Sequence, residues 1–176
     1  RRDFENALEW LERSGLIMRS FRVKTAKQPL KAYLDNNIFK IYALDVGLLG
    51  AMAGIAPKLM IQGHRIFREY EGSLVENYVA QQLKAEKGLD LFYWQSSGTA
   101  EVDFVCEYMD HVLPLEAKAG INPKSKSLRS FGKRFSPLVL TRTTLLNLKR
   151  QDELVNLPLY AVSLFPELIA GMRRQH

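Results

Sequence analysis

Apolar residues near the N-terminus follow first a helical spacing and then a strand spacing. Residues 3–14 carry apolar side chains at helical spacing, and a glycine is placed to cap the helix: Phe4, Ala7, Leu8, Leu11 and Gly15. Residues 15–23 and 30–36 are typical of two strands joined by a polar loop. Because a helix followed by a β-hairpin is the second half of a winged-helix unit, we predict a partial winged-helix region and linker over residues 1–60. An ordinary solvated hairpin that packs on a neighbouring domain is the alternative interpretation.

The rest of the chain alternates between helical and strand patterns and predicts a second domain over residues 61–176. Before this domain, a short strand from Phe39 leads into a helix around residues 46–52, with Asp45 as its N-cap. The predicted elements then follow in this order: a helix over 67–87, a strand over 89–96, a hairpin over 100–119, a loop and basic helix over 121–135, strands over 136–142 and 157–165, and a closing helix from Pro166.

The segment Ala100–Ala119 reads as two short strands in which apolar and polar residues alternate. A two-residue turn would pair Tyr108 with His111, and this register places Asp103 opposite Glu116. A register slipped by one residue would pair polar with apolar positions throughout, so the pattern itself favours the first register.

This register predicts one apolar and one charged face for the hairpin. The apolar positions of its first strand are Val102, Phe104, Cys106 and Tyr108, and the charged positions of both strands are Glu101, Asp103, Glu116 and Lys118. Like charges directly opposite each other are destabilising, since their Cβ atoms lie ~4.5–5.5 Å apart. A divalent cation such as Mg²⁺ would offset the repulsion between Asp103 and Glu116. A solvated polar face with a Glu101–Lys118 ion pair is the alternative.

A further carboxylate lies on the predicted helix over residues 67–87. Glu76 falls in one stripe with Gly72, Val79 and Leu83, along a largely apolar edge. A carboxylate held against a core needs a partner, such as a cation or a hydrogen-bond donor. A glutamate that reaches solvent is the alternative.

Composition narrows the classes of function. The 176 residues are 47% hydrophobic with a net charge of +6, which supports a packed core and permits nucleic-acid binding without requiring it. No run of apolar residues is long enough to predict a membrane span, and no glycine-rich phosphate loop predicts an ATPase site. The three histidines have no metal-ligand spacing with Cys106, so zinc is not expected.

The cellular setting is predicted from the cysteine content and the N-terminus. A lone Cys106 excludes an internal disulfide framework and is consistent with a reducing cytoplasm. The sequence begins without an initiator Met and without an apolar signal segment, which predicts a fragment of a longer cytoplasmic protein.

The basic helix after the hairpin is the best candidate for binding nucleic-acid phosphates. Its cationic residues are Lys124, Lys126, Arg129, Lys133 and Arg134. A solvated charged face is the alternative interpretation.

The order of these elements and their charged residues resembles the PD-(D/E)xK nuclease superfamily. The chain also resembles, over nearly its whole length, the C-terminal portion of a bacterial and archaeal group of AAA-type ATPases, in which a winged-helix region leads into a nuclease-like domain. The matching stretches are ALEWLERSGLI, FKIYALDVGLL, EGSLVENYVAQQL, WQSSGTAEVDFV and LPLEAKAG. The resemblance implies an α/β (α+β) fold with a restriction-endonuclease-like mixed sheet flanked by helices. Asp103 is preceded by Val102, whereas the PD motif that gives the superfamily its name has proline before the aspartate.

The resemblance also implies a role for each charged residue. Asp103 and Glu116 match the metal-binding carboxylates, Glu76 matches an additional helix carboxylate, and Lys118 matches the lysine that orients or activates the attacking water. The implied function is Mg²⁺- or Mn²⁺-dependent hydrolysis of DNA phosphodiesters by the C-terminal domain of an AAA-type ATPase. ATP would then bind only in the ATPase portion of the same polypeptide. A noncatalytic DNA- or protein-binding regulatory module with the same fold is the alternative.

Overall fold

One mixed β-sheet runs through the part of the chain that the structure describes, which comprises residues 2–55, 58, 65–120 and 125–172 of a computed structural model. Its strands are β1 Ile17–Val23, β2 Leu34–Ala43, β3 Phe92–Gln95, β4 Glu101–Tyr108, β5 His111–Ala117, β6 Leu140–Thr144, β7 Lys149–Gln151 and β8 Leu154–Pro158. Their order across the sheet is β2-β1-β3-β4-β5-β6-β8-β7. The sheet is mixed because β1 lies parallel to β3, and β6 lies parallel to both β5 and β8.

Helices cover both faces of the sheet. They are α1 Arg2–Arg13, α2 Val46–Met52, α3 Arg65–Gln81, α4 Lys126–Phe135 and α5 Phe165–Ala170. A π-helical turn, Gln82–Glu86, extends α3, and a 3₁₀ turn, Leu159–Leu164, precedes α5. The predicted mixed α/β sheet flanked by helices is confirmed.

Two hydrophobic clusters lie on opposite faces of β4 and β5. On the first face, Phe104 and Leu115 pack with α3 and α5, and on the second face Val105 packs with α4. The predicted charged face of the hairpin is therefore wrong along most of its length. Val105 and Pro114, which alternation assigned to that face, are buried because α4 covers it.

The N-terminal hairpin belongs to the same sheet as the hairpin that carries Asp103. Strand β1 pairs with β2 on one side and in parallel with β3 on the other, from Phe21–Phe92 to Val23–Trp94. The β-hairpin that the sequence assigns to a partial winged-helix region thus extends the central sheet at its β3 edge.

Several element boundaries differ from the sequence prediction. Leu30–Tyr33 forms a 3₁₀ turn, and β2 runs from Leu34 through Ala43 rather than as two separate strands. A polar run hides this continuity, since β2 is an edge strand that exposes Asn36 and Asn37 to solvent. The predicted strand over 157–165 is wrong beyond Pro158, whose missing amide hydrogen ends the pairing.

Local signals in the sequence are otherwise confirmed. Asp45 accepts a hydrogen bond from the Leu48 amide at 2.7 Å and caps α2, and Pro166 lies in the first turn of α5. Among the described residues, no helix combines the length and the apolar character that a membrane crossing requires.

Phe131 provides a test of how the second face is packed. Its ring is fully buried, 5.4 Å from the centroid of Trp94 and 4.8 Å from that of Phe135. Phe131→Ala should lower the free energy of unfolding by about 3–5 kcal/mol, because it removes these contacts and leaves a cavity. Chemical denaturation measures this loss. The matched control on the same helix, the exposed Ser130→Ala, should change stability by less than about 0.5 kcal/mol. A loss below about 1 kcal/mol for Phe131→Ala would contradict this packing.

Candidate metal centre

Helix α3 is fixed against the end of β2 by a side chain that pairs with the backbone. Asn77 accepts a hydrogen bond from the Ala43 amide at 2.8 Å and donates one to the Ala43 carbonyl at 3.2 Å. Asn77 is itself buried. Because Glu76 is the preceding residue on α3, this pair of hydrogen bonds brings its carboxylate beside the polar side chains of β2.

Glu76 has the partners that its place on an apolar edge requires. Its Oε1 accepts hydrogen bonds from Lys40 Nζ at 2.8 Å and from the Tyr42 hydroxyl at 2.6 Å. Lys40 and Tyr42 are two residues apart on β2 and so point to the same face. The expected cation and the expected donor are thus both present, and both come from the N-terminal hairpin.

Lys40 contacts two further carboxylates, which belong to β4. Its Nζ is 2.6 Å from Glu101 Oε1 and 3.9 Å from Asp103 Oδ1. We call the set Lys40, Tyr42, Glu76, Glu101 and Asp103 the Lys40 cluster. Glu101 therefore forms its ion pair with Lys40, and the ion pair with Lys118 considered as an alternative is not the arrangement found.

A β-bulge turns Asp103 toward the Lys40 cluster. The β3–β4 register shifts between the pairs Phe92–Val105 and Trp94–Val102, so β4 has one extra residue there. Val102 and Val105 consequently pack in the same cluster near α4, although strict alternation would place them on opposite faces. The bulge leaves Asp103 on the α3 face. This corrects the predicted alternation, which placed Asp103 on the face opposite Phe104.

The predicted register between β4 and β5 is confirmed. Tyr108 pairs with His111, and the ladder continues to Phe104 and Leu115. Asp103 and Glu116 are the next residues of the two strands. Beyond the ladder, Asp103 Oδ2 accepts a hydrogen bond from the Ala117 amide at 2.8 Å, so the side chain replaces a backbone partner where the strands separate.

Burial and a neighbouring negative charge both raise the pKa of the Asp103 carboxyl. Desolvation raises the pKa of its carboxyl to about 7, and the charge of Glu76 acts in the same direction. The Ala117 amide, Lys40 and Lys118 each oppose this rise in pKa. Asp103 is thus the group on which both lysines act.

Glu116 and Lys118 form a second pair next to the Lys40 cluster. Lys118 Nζ is 3.0 Å from Glu116 Oε1, and Glu116 is only 3% exposed. Its other oxygen, Oε2, is buried and has no hydrogen-bond partner in the described part of the chain. Burial raises the pKa of Glu116, whereas Lys118 and Arg142 lower it.

Arg142 supports the second pair from β6. It pairs in register with Glu116, and its guanidinium donates to Asn156 Oδ1 and to Ser125 Oγ, each at 3.2 Å. Arg142, Lys40 and Tyr42 are not among the site residues predicted from the sequence. The period-two spacing of Lys40 and Tyr42 between apolar residues was the available signal for the last two.

The predicted nucleic-acid-binding residues lie on the outer side of α4. Lys126, Arg129 and Lys133 are exposed, whereas Leu128 and Phe131 are buried. Their spacing of three and four residues places the three cations on one helical stripe. Lys124, the fourth predicted contact, lies outside the described residues.

The oxygen donors of this region are suited to one hard cation. Carboxylates are the ligands that Mg²⁺ prefers, and it is commonly held by one or two of them. Glu116 has an unfilled buried oxygen, and Asp103 lies at the adjoining position of β4. Glu76 Oε1 already has two donors, and no group of three or more acidic, histidine or cysteine side chains able to hold a metal occurs among the described residues. The unfilled oxygen of Glu116 is therefore the observation that fits a metal ion, and Asp103 is the carboxylate predicted to share that ion.

The raised pKa of Asp103 predicts how the stability of the protein depends on pH. The native state keeps the Asp103 proton up to about pH 7, whereas an unfolded aspartate loses it near its ordinary value of 3.8. Because the native state binds more protons between these values, the stability contributed by this group falls as the pH rises through that range. Asp103→Asn removes the titrating carboxyl and with it this pH-dependent fall in stability. The asparagine retains a side-chain oxygen that can accept from the Ala117 amide.

The free energy of unfolding of Asp103→Asn relative to wild type should therefore rise by about 3 kcal/mol between about pH 4 and pH 8. Denaturant titrations at several pH values measure the difference. Asp152→Asn, at an exposed turn position, is the matched control and should show no such trend. A constant difference between Asp103→Asn and wild type would refute the assignment.

Comparison with known families divides the chain into two matched regions. A family profile described as a domain of unknown function (DUF4143) matches residues 71–161, and another, described as a domain of unknown function (DUF8612), matches residues 1–59. The first region contains Glu76, Asp103, Glu116 and Lys118, and the second contains Lys40. No curated protein and no solved structure gives a significant match to the chain. Because the first match spans more than half of the sequence, the chain belongs to the DUF4143 family, a domain found in AAA-ATPase-associated proteins.

Proposed function

We propose that this chain is a Mg²⁺- or Mn²⁺-dependent, DNA nuclease-like domain of the PD-(D/E)xK type that serves the ATPase portion of the same polypeptide. The observation that carries the proposal is the state of Glu116. A buried carboxylate with one oxygen held by Lys118 and the other without a partner has room for a further hydrogen-bond donor or cation, and a metal ion is the partner we propose. Asp103, on the adjoining strand, offers a second carboxylate to the same group.

A metal ion held by Asp103 and Glu116 would supply an activated water and neutralise charge on the phosphate. The remaining chemistry falls to side chains of this chain. Lys118 is about one-third exposed, so its ammonium can contact Glu116 and still face a substrate. Its backbone amide donates to the Thr143 carbonyl at 3.0 Å, which fixes the start of the side chain. In the proposed reaction Lys118 orients the attacking water or stabilises the charge developing on the phosphate.

DNA is the proposed substrate, and α4 is the proposed surface for its backbone. The exposed stripe of Lys126, Arg129 and Lys133 follows Ser125, which in turn hydrogen-bonds Arg142 beside Glu116. Phosphates bound along α4 would therefore lead toward the carboxylates. The proposed site of action is the cytoplasm.

A second candidate function is a noncatalytic DNA- or protein-binding regulatory module with the same fold. The observation in its favour is that Lys40 neutralises Glu76 and Glu101 within the protein. Two carboxylates that could serve catalysis are thereby engaged in holding the N-terminal hairpin to α3 and β4. Such a module would bind its partner without cleaving it.

Cleavage of DNA in the presence of Mn²⁺ tests the first candidate. We expect the protein to cut at least one of four forms of DNA: supercoiled, linear, branched or single-stranded. Asp103→Asn and Lys118→Met should each lower the rate by about 10²–10³-fold, since each removes charge from the reacting centre. Lys31→Met, which alters an exposed lysine paired with Asp90, is the control and should leave the rate unchanged. Absence of cleavage of every substrate would exclude the nuclease and leave the binding module.

The salt dependence of DNA affinity tests the surface of α4. Replacing Lys126, Arg129 and Lys133 together with alanine should reduce the slope of log affinity against log salt by roughly 3 on single- or double-stranded DNA. Fluorescence anisotropy at several salt concentrations measures it. An equal loss of charge from ion-paired lysines elsewhere, Lys31, Lys84 and Lys87, serves as the control. Equal slopes for the two triple variants would remove α4 as the binding surface.

A further inference from the structure

Lys40 lies among three carboxylates that come from two different elements. Its Nζ is 2.8 Å from Glu76 Oε1 on α3, 2.6 Å from Glu101 Oε1 on β4 and 3.9 Å from Asp103 Oδ1 on β4. The Lys40 side chain is 24% exposed, so water screens this charge far less than that of a surface lysine. The ammonium is thus the central cation of a partly buried acidic group.

The position of the ammonium is fixed from several directions. Lys40 pairs with Ser20 in the β1–β2 ladder, and its Nζ lies 5.1 Å from the centre of the Tyr93 ring. Tyr42, the next residue on that face of β2, donates to the same Glu76 oxygen that Lys40 contacts. The strand, the ring and the shared acceptor together hold the ammonium in place before any ligand binds.

An ammonium in this position meets the same requirement that a second metal ion would meet. Hydrolytic sites with two metal ions use carboxylates to hold both ions close to the reacting phosphate. With Lys40 in place, the described carboxylates Glu76, Glu101 and Asp103 do not form a metal-binding group, and the positive charge among them is the Lys40 ammonium. A divalent ion could enter this group only by displacing the ammonium from two contacts shorter than 3 Å.

We propose that Lys40 is a built-in cation that takes the place of a second metal ion, so that the site binds one divalent ion, on Asp103 and Glu116. The inference rests on the proposed metal-dependent function and adds to it a residue from outside the matched DUF4143 region. Asp103 would be common to both cations, since its Oδ1 is 3.9 Å from Lys40 Nζ and it would share the metal ion with Glu116. Lys40 is a positioning residue in this scheme, because it acts through Glu76 and Asp103.

Counting bound Mn²⁺ ions tests the inference without depending on activity. Electron paramagnetic resonance of unbound Mn²⁺, supported by isothermal titration calorimetry, gives the stoichiometry for each variant. Wild type should bind one ion. Lys40→Met, which keeps the length of the side chain and removes its charge, should bind two, with the second at least tenfold tighter than any second ion on wild type. Lys40→Arg restores a cation and should return the count to one, and Lys31→Met is the surface control.

The outcomes separate this inference from the proposed function. Two ions on wild type overturn the inference, even if Lys40→Met does not fold. One ion on both wild type and Lys40→Met also overturns it and leaves the one-metal site standing. No ion on wild type but one on Lys40→Met supports Lys40 as a substitute cation while removing the proposed metal reaction. No ion on either protein removes both.

Discussion

Compensation of buried carboxylates is the constraint on which the centre of this structure depends. Glu76, Asp103 and Glu116 all lie partly or wholly out of water, where an uncompensated negative charge costs several kcal/mol (about 3–5 when one partner of a buried pair is removed). Each of the three carboxylates is stabilised by a different kind of partner. Lys40 and Tyr42 bind Glu76, a backbone amide binds Asp103, and Lys118 binds Glu116. The hairpin, α3 and the N-terminal strands must keep their relative positions for all of these contacts to persist.

The sequence predicts those parts of the fold that depend on local pattern. The register of β4 and β5 follows from the alternation around the Met109–Asp110 turn, and the caps of α2 and α5 follow from Asp45 and Pro166. The need of Glu76 for a cation and a donor could also be anticipated, because a carboxylate on an apolar stripe cannot remain without partners.

The parts that could not be predicted depend on contacts between distant segments. Lys40 is 36 residues from Glu76, and nothing in the pattern of either segment indicates that they meet. The bulge at Asp103 arises from pairing with β3, so the sequence of β4 alone suggests regular alternation. Burial of Val105 and Pro114 likewise depends on α4, which follows them in the chain. Tertiary packing therefore determined which face each charge occupies.

Three residue pairs between β1 and β3, from Phe21–Phe92 to Val23–Trp94, join the N-terminal hairpin to the remainder of the sheet. Across this narrow seam pass the contacts of Lys40 with Glu76 and Glu101. The limits of the two matched families, at residues 59 and 71, therefore do not coincide with a break in the sheet, which continues from β1 into β3. A chain cut there would expose the edge of β3 and would leave Glu76 and Glu101 without the positive charge of Lys40. A substitution at Lys40 in one region therefore changes the partners of Glu76 and Glu101 in the other.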